Sequence, residues 1–264
     1  LRLVKRKESH AHRRFPKGYR PRGLMILRGD LLAVIDGRTI FPKKVISAHD
    51  QTNILRSGYS NRKIGRKVLK GRWAEMPIYT LTLEERATCP RTCHHWRTCY
   101  GHGMPWAIRT ANDHHLIPQL QVELTELAIK HAEGFVVRLH VLGDFYSIEY
   151  ALAWECWIGT IPQLRAYGST AHSVEGEIGK EIRSWSDRNW DKFAIRTSLE
   201  KPSEGKREAI TIQGGLFDAL KWRPGSFLCS AQKRDSSFCG NCTKCWTDDG
   251  NVMFLEHGAG RGRK

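Results

Sequence analysis

The 264-residue sequence has no apolar run near the ~20 residues that cross a bilayer. No basic–apolar–small leader opens it. Together these absences predict a soluble intracellular protein with no membrane partner. No phosphate-cradling P-loop or GxGxxG occurs, and no GxSxG elbow or HExxH pair. The chemistries those motifs carry are not expected. Acids are scarce at the start: residues 1–74 hold four (Glu8, Asp30, Asp36 and Asp50) against 20 Lys and Arg. The formal charge of +16 belongs entirely to this region, because residues 75–264 balance at 23 basic and 23 acidic. Hydrophobic residues make up 40% and charged residues 27%, enough for a sizeable core and too apolar for wholesale disorder.

The basic excess has two centres. Leu1–Arg22 is rich in Arg, Lys and His, lacks any period, and reads as a flexible basic arm. Asn61–Arg72 carries six cations, Arg62, Lys63, Arg66, Lys67, Lys70 and Arg72. Clustered cations attract a polyphosphate chain through counterion release. The bland alternative is a solvated, solubilising face. DNA or RNA is the expected partner; an anionic membrane surface would need an accompanying apolar face.

Leu24–Ile46 contains apolar runs separated by Arg-Gly-Asp and Asp-Gly-Arg, which reads as short β-hairpins. From residue 77 the rhythm changes. Strands are expected over Ile78–Leu83, Phe135–Leu142, Leu164–Gly168, Phe193–Arg196 and Ala209–Ile212. Helices are expected over Leu116–Glu133, Ser147–Ile158, Val174–Trp185 and Leu216–Trp222. Such alternation implies parallel βα units, with ligands gathering at the C-terminal strand ends. The expected fold is α/β. It is a partial (βα) TIM-like barrel over 75–222, with a basic extension over 1–74 and a Cys-rich metal module and basic tail over 223–264.

Seven of eight cysteines are grouped. Cys89, Cys93 and Cys99 have C-x3-C-x5-C spacing. Cys229, Cys239, Cys242 and Cys245 have C-x9-C-x2-C-x2-C spacing. Cys156 stands alone and is expected to be a small buried hydrophobe. Disulfides suit a cytosolic chain poorly. The second set could hold structural zinc or an iron–sulfur cluster, and its two-residue gaps resemble ferredoxin runs. The first set leaves one position open unless His94, His95 or His102 fills it. Open, it suits an iron–sulfur cluster with a site for substrate or S-adenosylmethionine; closed, it suits zinc.

Other candidates sit at strand ends. Asp144 follows Gly143 and could act as base, nucleophile or cofactor ligand, or cap a turn. Ser147 is the more natural helix cap. His140 lies within the same strand. Ser169, Thr170 and Thr197 could line the same mouth, and Arg196 could bind phosphate or a carboxylate. Trp96, Tyr100 and Trp106 could stack a base or simply pack.

The stretch KIGRKVLKGRWAEMPIYTLTLEERATCPRTCHHWRTCYGHGM, with VRLHVLGDFYSIEYALAWECWI and CGNCTKCW, resembles the phage and plasmid "gene product eighty-eight" family over roughly residues 60–246. The resemblance implies a mobile-element setting, hence a bacterial host cytoplasm and nucleic acid as substrate. A looser resemblance is to radical S-adenosylmethionine enzymes, where a three-Cys loop follows the first strand. There an aromatic neighbours the last Cys, as Tyr100 does here, and a Gly-Gly-Glu-like segment falls where Leu142–Asp144 sits. Their usual loop is C-x3-C-x2-C; here the second gap is five residues. A third resemblance is to 7-deazaguanine transglycosylases, barrels with a catalytic Asp and a Cys3His zinc site that Cys239, Cys242, Cys245 and His257 could mimic. Three functions follow as expectations: a radical S-adenosylmethionine-like iron–sulfur enzyme on nucleic acid, a base-exchange transglycosylase with zinc, or a non-enzymatic metal-stabilised binding protein.

Overall fold

The computed structural model describes residues 28–201, 203–212, 225–232 and 237–255. The basic arm, the expected helix Leu216–Trp222 and His257 lie outside them. In chain order the elements are α1 (Arg28–Ile35), β1 (Val45–Ile46), β2 (Arg56–Ser57), β3 (Ile78–Thr80), β4 (Arg109–Thr110), α2 (Leu116–Lys130) and β5 (Phe135–Arg138). They continue as α3 (Ile148–Thr160), β6 (Leu164–Thr170), α4 (Glu177–Arg188), β7 (Phe193–Leu199), β8 (Glu208–Ile212) and β9 (Phe227–Leu228). The short helices α5 (Cys239–Cys242) and α6 (Lys244–Thr247) precede β10 (Val252–Leu255).

The class is α/β, and the sheet is mostly parallel. Its order is β2-β3-β5-β6-β7-β8-β10-β9. β2 pairs antiparallel to β3 at one edge, and every other pairing in this sheet is parallel. β1 and β4 form a separate parallel pair. The sheet keeps two edges, β2 and β9, so no closed barrel is found among the described residues. Strands from residues 1–74 and 223–264 join the same sheet as the central βα units.

The hairpins expected over Leu24–Ile46 are corrected: the described part of that stretch contains α1. Asp36-Gly37 ends the helix instead of turning a hairpin. Gly37 takes φ +75°, and Arg38 N–H bonds Ala33 O at 2.8 Å. A left-handed glycine serves a helix C-terminus as well as a hairpin, so Asp-Gly alone does not distinguish them.

The βα rhythm holds. Leu116, Leu120 and Leu124 recur every fourth residue and bury one stripe of α2. Ser147 caps α3, its Oγ accepting the Tyr150 N–H at 3.2 Å. On α3, Trp154, Trp157 and Ile158 face the core, whereas Cys156 points away and is exposed, a correction to its expected burial.

The two faces of the sheet are covered differently. Phe135, Val137, Ala166, Phe193 and Ile195 pack with α2, α3 and α4 in one core. Val136, Tyr167 and Ala194 alternate with them and face a second core. Among the described residues no long helix packs into that core. The core is built from Ile64 and Val68 of the basic segment and Trp73 directly after it, with Trp190 and Trp246, and Cys239 and Cys245 pack against it.

Candidate metal centre

The chain leaving β3 runs on beside β5, Leu81 N–H bonding Arg138 O at 3.1 Å and Leu83 N–H bonding Leu142 O at 3.0 Å. It then enters a buried charged knot, Glu84-Glu85-Arg86. Glu84 accepts both Nε and Nη2 of Arg38, at 2.9 and 2.8 Å, plus the Thr39 N–H at 3.1 Å. Glu85 accepts Arg109 Nε at 2.6 Å and Nη2 at 3.1 Å, both side chains being fully buried. Arg86 donates to Trp96 O and Arg38 O and meets His102. This knot fixes the root of the cysteine loop. Sequence reasoning missed it, because three consecutive charges read as solvent-facing.

Cys89, Cys93 and Cys99 follow on this loop. Cys89 feels the charges of Asp144, Cys99 and Cys93, and Cys99 feels Glu85, Arg86 and Cys93. Burial pushes all three thiols upward, Cys99 to about 12, with Asp144 adding to the rise at Cys89 and Cys93. Backbone N–H groups of Arg86, His95 and Gly101 work against that, each favouring the thiolate of Cys89, Cys93 and Cys99 in turn.

The loop lies over the C-terminal strand ends. Gly143, after β5, has φ +84°, and a Cβ there would lie 2.5 Å from Thr88 Oγ1 and 2.7 Å from Leu83 Cβ. Only glycine permits this approach. Asp144 is buried; its Oδ1 accepts the Phe145 N–H at 2.8 Å and its Oδ2 the Ala171 N–H at 2.7 Å. Burial raises its carboxyl, against the lowering effects of His172, those N–H groups and the Thr170 hydroxyl. Asp144 and Thr170 therefore meet at one mouth. At the far side of the loop, His95 Nε2 lies 2.9 Å from Thr211 Oγ1 on β8.

His140 is buried, with Nε2 3.0 Å from the Tyr150 hydroxyl, and burial lowers it to about 3. It is a neutral core histidine packed edge-on against Phe145. Of the loop histidines, His94 has Nε2 buried without a hydrogen-bond partner. A cavity of about 380 Å³ opens beside the loop, lined by Asp36, Arg38, Arg86, Arg91, Asn112 and the Cys89 side.

The second cysteine set lies on the sheet face opposite the helices. Cys229 feels Cys239 and Cys242, and Cys245 feels Cys239 and Cys229. Burial raises Cys229 to about 11 and Cys245 to about 12, and raises Cys239. The Ala231 N–H favours the Cys229 thiolate. Arg196 does not present itself to a ligand anion. Its Nε donates to Cys245 O, Nη1 to Gly250 O, and Nη2 to Lys244 O and Asp248 O, at 2.6–3.2 Å. It grips the module's backbone. Thr197 is buried and Ser169 half-buried on their strands.

The basic segment wraps this module. Cys239 N–H bonds Lys63 O at 2.8 Å, Gly240 N–H bonds Ile64 O at 3.1 Å, and Leu69 N–H bonds Gly240 O at 2.7 Å. Arg62, Lys63, Arg66, Lys67, Lys70 and Arg72 are all exposed. Lys67 pairs with Glu75 at 2.5 Å, and Arg72 donates to Trp190 O and Trp246 O. Trp96 packs, bonding Val34 O at 3.1 Å under Arg91, whereas Trp106 is exposed beneath Lys44.

No disulfide joins any of the eight cysteines. Among the described residues no three His, Cys, Asp or Glu side chains stand as ready-made ligands of one ion. The donor chemistry nevertheless fits a thiophilic metal: two all-cysteine sets, half-buried, with N–H groups that favour the thiolates of Cys89, Cys93, Cys99 and Cys229. No family model, curated protein or solved structure matches the chain.

Proposed function

We propose that this protein is an iron–sulfur enzyme of radical S-adenosylmethionine-like type acting on nucleic acid or a nucleotide. One observation carries the reading. The loop that carries Cys89, Cys93 and Cys99 starts from Thr88, whose Oγ1 accepts the Asp144 N–H at 3.1 Å where parallel strands end, the edge at which such sheets keep their chemistry. The strands β3, β5, β6, β7 and β8 stand in chain order, as in a partial barrel. A cluster on the three thiolates would supply single electrons to a small molecule at its open iron. Asp144 holds the β5 and β6 ends in register under the loop. The cavity reaching Cys89 gives access. Arg62, Lys63, Arg66 and Lys70, exposed on the basic segment, would attract phosphates. No membrane partner is proposed: no described helix is long and apolar enough to cross a bilayer.

A second reading, a metal-stabilised nucleic-acid-binding protein without catalysis, draws support from the backbone bonds that tie Lys63 and Ile64 to the second cysteine set. The transglycosylase reading needs Asp144 as nucleophile, but each of its oxygens already holds a backbone N–H.

The test is anaerobic purification with iron, sulfide and zinc analysis and a visible spectrum, on wild type, Cys93→Ala and His94→Ala. Iron with sulfide, and a thiolate–iron band that weakens in Cys93→Ala but survives in His94→Ala, supports an open three-thiolate cluster. Loss in both variants means a closed Cys3His site. Zinc alone sinks the enzyme reading in favour of the binding protein.

A further inference from the structure

β5 turns Val136 and Arg138 to the face that carries the second cysteine set. The Arg138 guanidinium lies over the Tyr167 ring, 5.4 Å from its centroid. Its Nη1 is buried and has no hydrogen-bond partner. Gly168 makes the room: a Cβ there would lie 3.0 Å from that Nη1 and 2.1 Å from Leu139 O. Cys239 and Cys245 pack against the core that contains Tyr167, so Arg138 stands on their side of the sheet. Tyr167, beneath it, feels the same two thiols.

The other cations near these thiols are differently committed. Arg196 spends its N–H groups on four carbonyls. Lys63, which reaches Cys229 and Cys239 electrostatically, is exposed. Four thiolates around a doubly positive core leave a net charge of about −2, and burying that requires a fixed countercharge with a donor to offer. Arg138 is a cation with an uncommitted buried N–H at that place.

We propose that Arg138 is the charge-compensating and positioning residue of a closed four-thiolate site formed by Cys229, Cys239, Cys242 and Cys245, its Nη1 donating to a ligand sulfur once the site is loaded. The proposal rests on reading these cysteines as a metal site and adds the class of occupant. That occupant is a doubly positive thiophilic core, Zn²⁺ or an iron–sulfur cluster in its 2+ state, ligated wholly by protein and closed to substrate.

The test is Zn²⁺ binding by chelator competition in a Cys93→Ser background, which disables the first set. Arg138→Gln is expected to weaken Zn²⁺ binding by about 10–100-fold, the usual effect of removing a partner of a metal ligand. Arg138→Lys, which keeps the charge, is expected to recover part of the loss. Equal affinity in Arg138→Gln and its parent overturns the inference, as does an Arg138→Lys protein no better than Arg138→Gln. If Arg138→Gln does not fold, the zinc-induced rise in melting temperature is compared between Arg138→Lys and its parent. A smaller rise in the variant supports the proposal and an equal one overturns it. If the parent itself binds no Zn²⁺ or cluster, the reading of the four cysteines as a metal site fails, which is a separate outcome.

Discussion

Trp73 lies flat on Trp246, ring centroids 5.0 Å apart and planes 13° from parallel. One ring stands directly after the basic segment and the other belongs to the cysteine module, and both are buried. Their contact joins two regions far apart in sequence. Trp73→Ala should cost about 3–5 kcal/mol, the usual loss for a buried aromatic truncated to alanine. Urea unfolding checks this; a loss below about 1 kcal/mol would show that the stack is incidental.

The Glu85–Arg109 pair is fully buried, and both carboxylate oxygens are engaged. Removing one partner strands the other charge. Glu85→Gln should destabilise by about 3–5 kcal/mol. Replacing both, as in Glu85→Gln with Arg109→Met, should recover part of that loss in the same denaturation assay. A double variant weaker than the single by a full additive step would refute the coupling.

His140 is neutral in the fold, lowered to about 3 by burial. An unfolded histidine titrates near 6.5. Between those values the unfolded chain binds a proton that the folded one refuses, so stability falls as pH drops through that window. At full effect the slope is about 1.4 kcal/mol per pH unit. His140→Gln should remove it, leaving a flatter stability profile between pH 6.5 and pH 4 than wild type. Parallel profiles would mean that His140 does take up a proton in the native state.

The exposed cations of the basic segment should report on nucleic acid through salt. Arg62→Gln, Arg66→Gln and Lys70→Gln, combined, should make the log Kd against log salt plot shallower by about 0.9 per phosphate contact removed on duplex DNA. The circular dichroism spectrum should not change, since these side chains are exposed. An unaltered slope would move the phosphate contacts elsewhere.

The alternation of strand and helix was legible because each βα unit writes its own local pattern: Leu120 and Leu124 on α2, and the apolar Phe135–Val137 run that opens β5. The cysteine sets were legible as sets because ligand spacing is local too. What escaped is what depends on meeting at a distance. Glu85 finds Arg109, and Lys63 finds Cys239, only after folding. Arg196, read as an anion binder, turned out to hold four carbonyls of the module. The LLAVI run was ambiguous for another reason: five consecutive apolar residues carry neither period, and the structure leaves Leu32 and Ile35 exposed on a helix. Whether the sheet closes is set by strand twist and by how its edges are covered, and neither is written in one segment.

β10 stands between β8 and β9, although it follows both in the chain. The N–H of Cys229, just past β9, bonds Met253 O at 2.9 Å. On the ribosome, β9 and the cysteine module therefore emerge before the strand that connects them to the sheet. A premature stop just before Val252 would remove an interior strand and leave the segment from β9 to the fourth cysteine of the module without its seat. The segment from β9 through the module is thus seated only once β10 has been made: chains that stop before Val252 should be cleared by proteases, while chains that include it lock β10 between β8 and β9.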